Sequence, residues 1–311
     1  SGNIQFSETS EMFMPGDIAF MVLSGDGDEV TQATAYDHFR LNTELLLVLL
    51  FAAFLIAFAG WSGVRALLSF VFAVLLMWQV LFPSILLGRD PVLIAFFIVM
   101  ALAAVTLSLV AGVNRLALVA FLGALLGIVL TYFLSLALLP AFNLHGAILA
   151  FSETLLYTGF EHLNLTRVFL AAILLGASGA VIDVAIDIST AMHEVTTKRP
   201  DLSRTELIRS GFAVGRNMTS TMVTTLLMAY ASGYLALMMI FMAQGIPPMY
   251  LLNSNYVAAE VLKTIVGSFG LVTVAPFTAI VGGIIFVYRR HHVEARDSEG
   301  PGFVQDRRQS V

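Results

Sequence analysis

The sequence contains no cysteine, and only 12% of its 311 residues are charged. The absence of cysteine excludes a disulfide framework and a thiolate metal site. The low charge excludes an ordinary soluble domain, in which about 25% of residues are charged. The formal net charge of -5 is small, and no basic stripe suggests a nucleic-acid partner. Motifs of zinc proteases, serine hydrolases and phosphate-binding loops are also missing, so we expect neither an enzyme nor a bound cofactor or metal.

Apolar residues dominate the chain instead. They make up 58% of it and give a mean hydropathy of +0.88. The apolar runs are each close to the roughly 20 residues that a helix needs to cross the hydrocarbon core of a bilayer. We predict seven membrane-spanning helices, at residues 44–60, 64–87, 91–112, 116–139, 166–192, 211–241 and 257–288. The predicted fold class is therefore an all-α, polytopic membrane bundle embedded in lipid.

Three regions follow from this pattern. Residues 1–43 are polar and mixed, and we interpret them as a short extracytoplasmic segment, the tail of a truncated domain. Within them, 16–30 indicates a short strand or hairpin with turn residues at 25–28. Residues 44–288 form the transmembrane domain, and 289–311 form a disordered cytoplasmic tail. A connection at 140–165 includes an apolar piece too short to cross the membrane, which is either re-entrant or interfacial.

Basic residues predict the orientation of the chain. The loop between the fifth and sixth spans and the C-terminal tail are both basic, and the positive-inside rule places both in the cytoplasm. Two spans separate them, so the two assignments agree. Seven spans then place the N-terminus outside and the C-terminus inside. The basic residues are Lys198, Arg199, Arg204 and Arg209 in the loop, and Arg289, Arg290, Arg296, Arg307 and Arg308 in the tail. Ser203 and Glu206 form a capping box that begins the sixth helix.

The fifth span carries carboxylates that a lipid-facing helix does not need. At 100° per residue, Asp183, Asp187 and Glu194 lie within about 40° of one another. Gly176 and Gly179 extend this face, and small residues let a neighbouring helix approach closely. A central carboxylate costs about 2.5–3.5 kcal/mol to insert, so Asp183 and Asp187 indicate a proton or ion site. The alternatives are a structural hydrogen-bond network for this pair and a solvated helix end for Glu194.

The sixth span presents a matching polar face. Its members are Arg216, Asn217, Ser220, Thr221 and Thr224. Hydroxyl and amide groups can satisfy a carboxyl or coordinate a dehydrated cation, so we expect the carboxylates to face inward, toward the sixth and seventh helices. Arg216 can pair with Asp187 or Glu194. The alternatives are helix packing for the hydroxyls and a topology anchor for Arg216.

The seventh span adds three secondary features. Glu260 and Lys263 are at i and i+3 and can pair, either as a snorkelling surface pair or as part of a site. Gly267 is a packing position on the same small-residue face. Pro276 lies inside the span and predicts a kink.

The stretches "GASGAVIDVAIDISTAMHEV", "PDLSRTELIRSGFAVGRNMTSTMVTTLLMAY" and "LLNSNYVAAEVLKTIVGSFGLVTVAPFTA" resemble the YibE/YibF-like family of bacterial multi-pass membrane proteins. The resemblance covers about 36–288 and is most specific over 171–279. Residues 176–185 match the family block G-A-x-G-A-x-x-D-V-A. Asn217, Ser220 and Thr224 stand where the family usually has Asp, Gly and Asn. The resemblance implies a bacterial inner membrane and an extracytoplasmic β-rich domain before the first span.

A fainter similarity leads to the last spans of SecD/SecF and RND-type transporters. There an acidic helix is followed by a basic loop and a helix with an R-T-x-x-T-S-x-T-T pattern, matched here by Arg216, Thr219, Ser220, Thr221, Thr224 and Thr225. This similarity implies coupling of proton flow to movement.

Two hypotheses remain for the function. The first is a secondary transporter driven by H⁺ or Na⁺, with an intramembrane acidic site and an unknown substrate. The second is a non-transporting membrane scaffold or auxiliary subunit, which uses the small-residue faces to form a homo-oligomer or to bind a paralogous membrane partner.

Overall fold

In the computed structural model, the described residues are 13–26, 29–144, 146–148 and 152–298. They divide into two compact units, Ser1–Leu67 and Leu68–Val311. The described part of the first unit begins with an antiparallel hairpin of β1 (Ala19–Asp26) and β2 (Glu29–His38). The register pairs Ala19 with His38 and Asp26 with Glu29. The short hairpin expected from the sequence is thus confirmed.

The first unit continues with α1 (Leu41–Ala59), an apolar helix without a buried residue. It ends at Gly60, whose φ of 56° lies in the left-handed region that favours glycine. The Gly60 N–H donates to the Ile56 carbonyl at 2.8 Å and so closes the last turn of α1. The next helix, α2 (Trp61–Leu76), begins directly after this glycine.

A π-helical turn (Met77–Leu81) and α3 (Phe82–Leu86) extend α2 into one span, Trp61–Leu86. The π-turn precedes Pro83, which has no N–H to donate to the turn before it. Two long helices follow in the second unit, α4 (Pro91–Ala111) and α5 (Arg115–Leu138). Polar side chains cap them: the Asp90 carboxylate accepts from Val92 N at 2.9 Å, and the Asn114 side chain accepts from Ala117 N at 3.0 Å.

The connection at 140–165 contains only short elements among its described residues. They are two 3₁₀ turns, Pro140–Phe142 and Gly146–Ile148, and α6 (Ser152–Tyr157). None is long enough to cross a membrane alone. Whether this connection enters the bilayer stays a prediction.

The centre of the second unit is α7 (Leu165–Lys198), which contacts α4, α5, α8 (Arg204–Ser232) and α11 (Asn255–Ser298). Asn164 caps α7 by accepting from Arg167 N at 3.1 Å, and Arg167 pairs with Asp90 at the start of α4. The predicted capping box at α8 is confirmed: Glu206 N donates to Ser203 Oγ at 3.3 Å and Ser203 N to Glu206 Oε2 at 2.9 Å.

Two short helices, α9 (Leu235–Ala243) and α10 (Pro248–Leu252), lie between α8 and α11. The axis bends by 64° between α8 and α9. Among the described residues, six helices are long and apolar enough to span a membrane, and the bent pair makes a seventh if it counts as one span. The chain is therefore a helical membrane bundle. In α11, the helix continues through Pro276 and past the predicted end at 288 to Ser298. The rest of the predicted disordered tail, 299–311, lies outside the described residues.

Glycines bring α5 and α11 close together. A Cβ at Gly123 would overlap the Thr278 side chain and lie 2.9 Å from its Cα. A Cβ at Gly270 would overlap the Thr131 hydroxyl from the opposite helix. These contacts fix α11 against α5, and they leave α7 packed between both helices and α4.

Labelling of single cysteines tests the path of the bent pair, because the chain has no native cysteine. Gln244→Cys, after α9, should react with a membrane-impermeant maleimide added to intact cells. Thr197→Cys, at the end of α7, should react only after the membrane is opened. If α8 and α9 instead returned to one side as a re-entrant pair, both cysteines would share one accessibility.

Substitution of Gly123 tests the contact of α5 with α11. Gly123→Ala should lower the apparent Tm of the detergent-purified protein, since overpacking a core position costs about 1–3 kcal/mol. Gly233→Ala is the matched control, because an added Cβ there meets only the Tyr230 carbonyl oxygen, at an ordinary contact distance of 3.6 Å. Equal Tm values for the two variants would contradict the described packing.

Candidate functional site

The acidic stripe of α7 lies at the surface of the single chain. Asp183 and Glu194 are exposed, and Asp187 is half-buried. The enclosed positions of α7 between them are apolar apart from Ser189, and they include Val184 and Ile188 at 0% exposure. The expectation that Asp183 is enclosed by its own bundle is therefore wrong. The physical reason is that α4, α5 and α11 surround α7 with apolar side chains, in which an unpaired carboxylate would lose its solvation.

Two contacts show which residues of α7 and α8 lie at the same height along the two helices. A Cβ at Gly215 would lie 3.2 Å from Ile188 Cδ1, and a Cβ at Gly211 would lie 2.7 Å from Met192 Sδ. The two helices are thus antiparallel, and one turn of α7 corresponds to one turn of α8. By this spacing, Asp187 lies at the height of Arg216. Asp183, one turn farther from the loop between α7 and α8, lies at the height of Ser220.

The predicted polar face of α8 is exposed along its whole length. Its exposed residues are Arg216, Asn217, Ser220, Thr221 and Thr224. The opposite face, which includes Leu207 and Thr219, is buried, and α8 contacts both α7 and α11. Two polar stripes, one on α7 and one on α8, therefore lie at matching heights on neighbouring helices, and neither is enclosed by the chain's own bundle.

Two hydroxyls on the polar face of α8, those of Ser220 and Thr221, donate their protons to backbone carbonyls of the same helix. Ser220 Oγ donates to the Asn217 carbonyl at 2.8 Å, and Thr221 Oγ1 donates to the Met218 carbonyl at 3.0 Å. Their oxygen lone pairs remain available. Such oxygens can accept from the O–H of a protonated carboxyl or coordinate a cation, and they cannot donate to an ionised carboxylate. The chemistry of the stripe thus favours a proton or a small cation as its ligand.

Within the described ranges, the structure contains no ion pair or hydrogen bond from the side chain of Arg216, Asp183 or Asp187. The expected pairing of Arg216 with Asp187 or Glu194 is absent there, since Arg216 is exposed on α8. The described residues also contain no group of three or more His, Cys, Asp or Glu side chains that could hold a metal ion.

A second polar cluster lies between α8 and α11. Lys263 Nζ is 2.9 Å from Glu260 Oε2, with 18% of the lysine side chain and 11% of the glutamate side chain exposed. The interpretation of this pair as a snorkelling surface pair is therefore wrong. Lys263 Nζ also lies 4.7 Å from the ring centroid of Tyr230 and 6.0 Å from that of Tyr234.

Tyr230 and Tyr234 were not among the site residues expected from the sequence. The available signal was a tyrosine inside an apolar helix, where its hydroxyl needs a partner. Tyr230 reaches across to α7: a Cβ at Gly176 would overlap the Tyr230 hydroxyl and lie 3.2 Å from Cζ. Gly267, one turn after Lys263, lies close to both α7 and α8, because its added Cβ would be 3.4 Å from Ala177 Cβ and 3.2 Å from Leu226 Cδ2.

The two clusters occupy one continuous side of α7. The stripe begins at Gly176 beneath the Tyr230 ring, passes Gly179 and continues through Asp183 to Asp187. A family model described as YibE/F-like protein matches residues 47–288, which is most of the chain. The chain belongs to the YibE/F-like protein family. Searches of curated proteins and of solved structures gave no match. The family match covers both clusters and all helices from α2 to α10.

Proposed function

We propose that this YibE/F-like protein is a proton- or cation-coupled secondary transporter of the bacterial inner membrane. Asp183 and Asp187 carry the ion, and the hydroxyl stripe of α8 lines its site. The N-terminus lies outside and the C-terminus in the cytoplasm. One observation carries the proposal: two carboxylates, one helical turn apart in an apolar span, lie at the height of hydroxyl oxygens whose protons are already donated.

The ion chemistry follows from this arrangement. Two carboxylates one turn apart repel each other in a medium of low dielectric constant. A proton or cation bound between Asp183 and Asp187 removes this repulsion. The hydroxyl oxygens of Ser220 and Thr221 can then accept from a carboxyl O–H or complete the shell of a cation. Arg216, at the height of Asp187, gives the cytoplasmic end of the site a positive potential.

Proton flux into liposomes tests the roles of Asp183 and Asp187. We expect the wild-type protein to move protons or Na⁺ under an imposed diffusion potential, measured with an internal pH dye. Asp183→Asn and Asp187→Asn should each lower this flux at least tenfold while the protein elutes normally in gel filtration. Glu206→Gln is the control, because glutamine at this position preserves the capping box. Wild-type flux that neither Asp variant changes would contradict the proposal.

The exposed position of the stripe also leads us to propose a partner in the membrane. Lipid chains cannot hydrogen-bond to Asp183 or to the polar face of α8, so protein or water must cover them. Gly179 offers room for a close approach, since an added Cβ there meets nothing within 4 Å. We propose that a second copy of the chain covers this stripe, with a paralogous membrane protein as the alternative partner.

Cysteine crosslinking tests the second copy. Gly179→Cys should form a disulfide-linked dimer in membranes under mild oxidation, because two-fold symmetry brings this position close to its own copy. Phe97→Cys is the matched control: Phe97 is 65% exposed on α4, away from the stripe, and should stay monomeric. If Gly179→Cys also stays monomeric, no second copy covers the stripe, and the paralogous partner becomes the candidate.

A further inference from the structure

We propose that Glu260 is a second proton-binding carboxylate, placed in series with Asp183 and Asp187 on the same transmembrane path. Lys263 and Tyr230 are positioning residues for it. This inference rests on the proposed transport function and adds the extracytoplasmic end of the path. Under the predicted orientation, α11 begins on the outer side, and Glu260 lies five residues after its first residue, Asn255.

The two carboxylate oxygens of Glu260 have different surroundings. The residue is only 8% exposed, and Oε2 is paired with Lys263 Nζ at 2.9 Å. Its other oxygen, Oε1, is buried and accepts no hydrogen bond of good geometry among the described residues, although the Tyr234 hydroxyl faces the same carboxyl group. A buried acceptor without a partner is costly, and a bound proton converts this oxygen into a donor that can find one. Oε1 is thus the atom at which the proton binds.

The hydroxyl of Tyr230, on the neighbouring helix α8, is in a similar situation. Tyr230 Oη is also buried and without a hydrogen-bond partner in the described part of the chain. It points across the helix interface at Gly176, the first residue of the α7 stripe. Two unpartnered polar atoms, one on α11 and one on α8, therefore flank the same helix interface. Native structures leave few such groups, and each one calls for an explanation.

Lys263 keeps a stabilising contact when the charge of Glu260 changes. When Glu260 binds a proton, the carboxyl becomes neutral and the ammonium loses its counter-charge. The ring of Tyr230, 4.7 Å from Nζ, continues to stabilise the cation through its π-face. The pair can therefore gain and lose a proton without leaving a fully unpaired charge in the bundle. An O–H bond forms at Oε1 as one breaks in water on the outer side, and the O–H bond at Oε1 breaks when one forms at Asp183.

The proposed route from Glu260 and Tyr230 to Asp183 runs along α7. From Gly176 to Asp183 is seven residues, or about 10 Å of helix. Gly179 lies midway and leaves its side of α7 open within this chain. Water along this side of α7 would connect the Tyr230 hydroxyl to Asp183, and Asp187 would continue the path toward the cytoplasmic side. Each proton accepted by Glu260 is thus passed along one side of α7.

Two measurements on the full-length protein test this inference. In liposomes, Glu260→Gln should lower proton flux at least tenfold, as should Glu260→Gln with Lys263→Gln, which leaves no unpaired buried lysine. Tyr230→Phe should slow the flux less, because it removes one hydroxyl and keeps the ring beneath Lys263. Glu206→Gln is the control carboxylate. Gel filtration and Tm verify that each variant folds.

Infrared difference spectroscopy after a pH step gives a readout that does not depend on transport. The component of the carboxyl carbonyl band that comes from protonated Glu260 should be missing in Glu260→Gln and kept in Glu206→Gln, while the components of Asp183 and Asp187 remain in both variants. If the band is unchanged in Glu260→Gln, Glu260 binds no proton and the inference is overturned. If flux depends on Asp183 and not on Glu260, the inference also fails while the proposed function stands. If this component is lost and the wild type shows no flux, Glu260 binds a proton and the transport proposal fails.

Discussion

Lipid chains offer no hydrogen bonds, so every polar group at membrane depth must find its partner within protein or bound water. Most hydroxyls of the spans meet this demand inside their own helix. Thr131 Oγ1 donates to the Gly127 carbonyl at 2.9 Å, and Thr219 Oγ1 donates to the Gly215 carbonyl at 2.6 Å. Four buried atoms among the described residues do not meet it: Glu260 Oε1 and Tyr230 Oη in the α8–α11 cluster, Thr278 Oγ1 at the contact of α5 with α11, and Arg65 Nε.

The packing of the bundle explains why the acidic stripe of α7 is not enclosed. Close glycine contacts hold α5 against α11, and α7 buries its apolar faces between them and α4. This arrangement leaves one side of α7 for residues that cannot be buried without a partner. Asp183 and Asp187 lie on that side, next to the hydroxyl face of α8. The apolar core thereby determines where these carboxylates are tolerated, on the side of α7 that the bundle leaves uncovered.

The sequence predicted the spans, the hairpin and the capping box at Ser203, because hydropathy, turn residues and caps act over short distances. Helical periodicity also placed Asp183 and Asp187 on one face. It did not predict that this face lies at the surface of the chain, since a period of 3.6 residues says nothing about what lies opposite. The burial of Glu260 and the contact with Tyr230 depend on how α8 crosses α11, which local pattern does not determine. The bend after Ser232 was missed for the same reason.

The Glu260–Lys263 pair lies beside the break between α8 and α9. Tyr234, whose ring lies 6.0 Å from Lys263 Nζ, occupies the break at which α9 turns away from α8 by 64°. A helix break lacks the continuous backbone hydrogen bonds that stiffen a span, so it is the place where two arrangements differ least in free energy. Neutralisation of Glu260 changes the electrostatic field directly beside this break. In this fold, Lys263 Nζ lies 2.9 Å from Glu260 Oε2 and 4.7 and 6.0 Å from the ring centroids of Tyr230 and Tyr234, so one charged side chain links the carboxylate to the tyrosines that flank the bend.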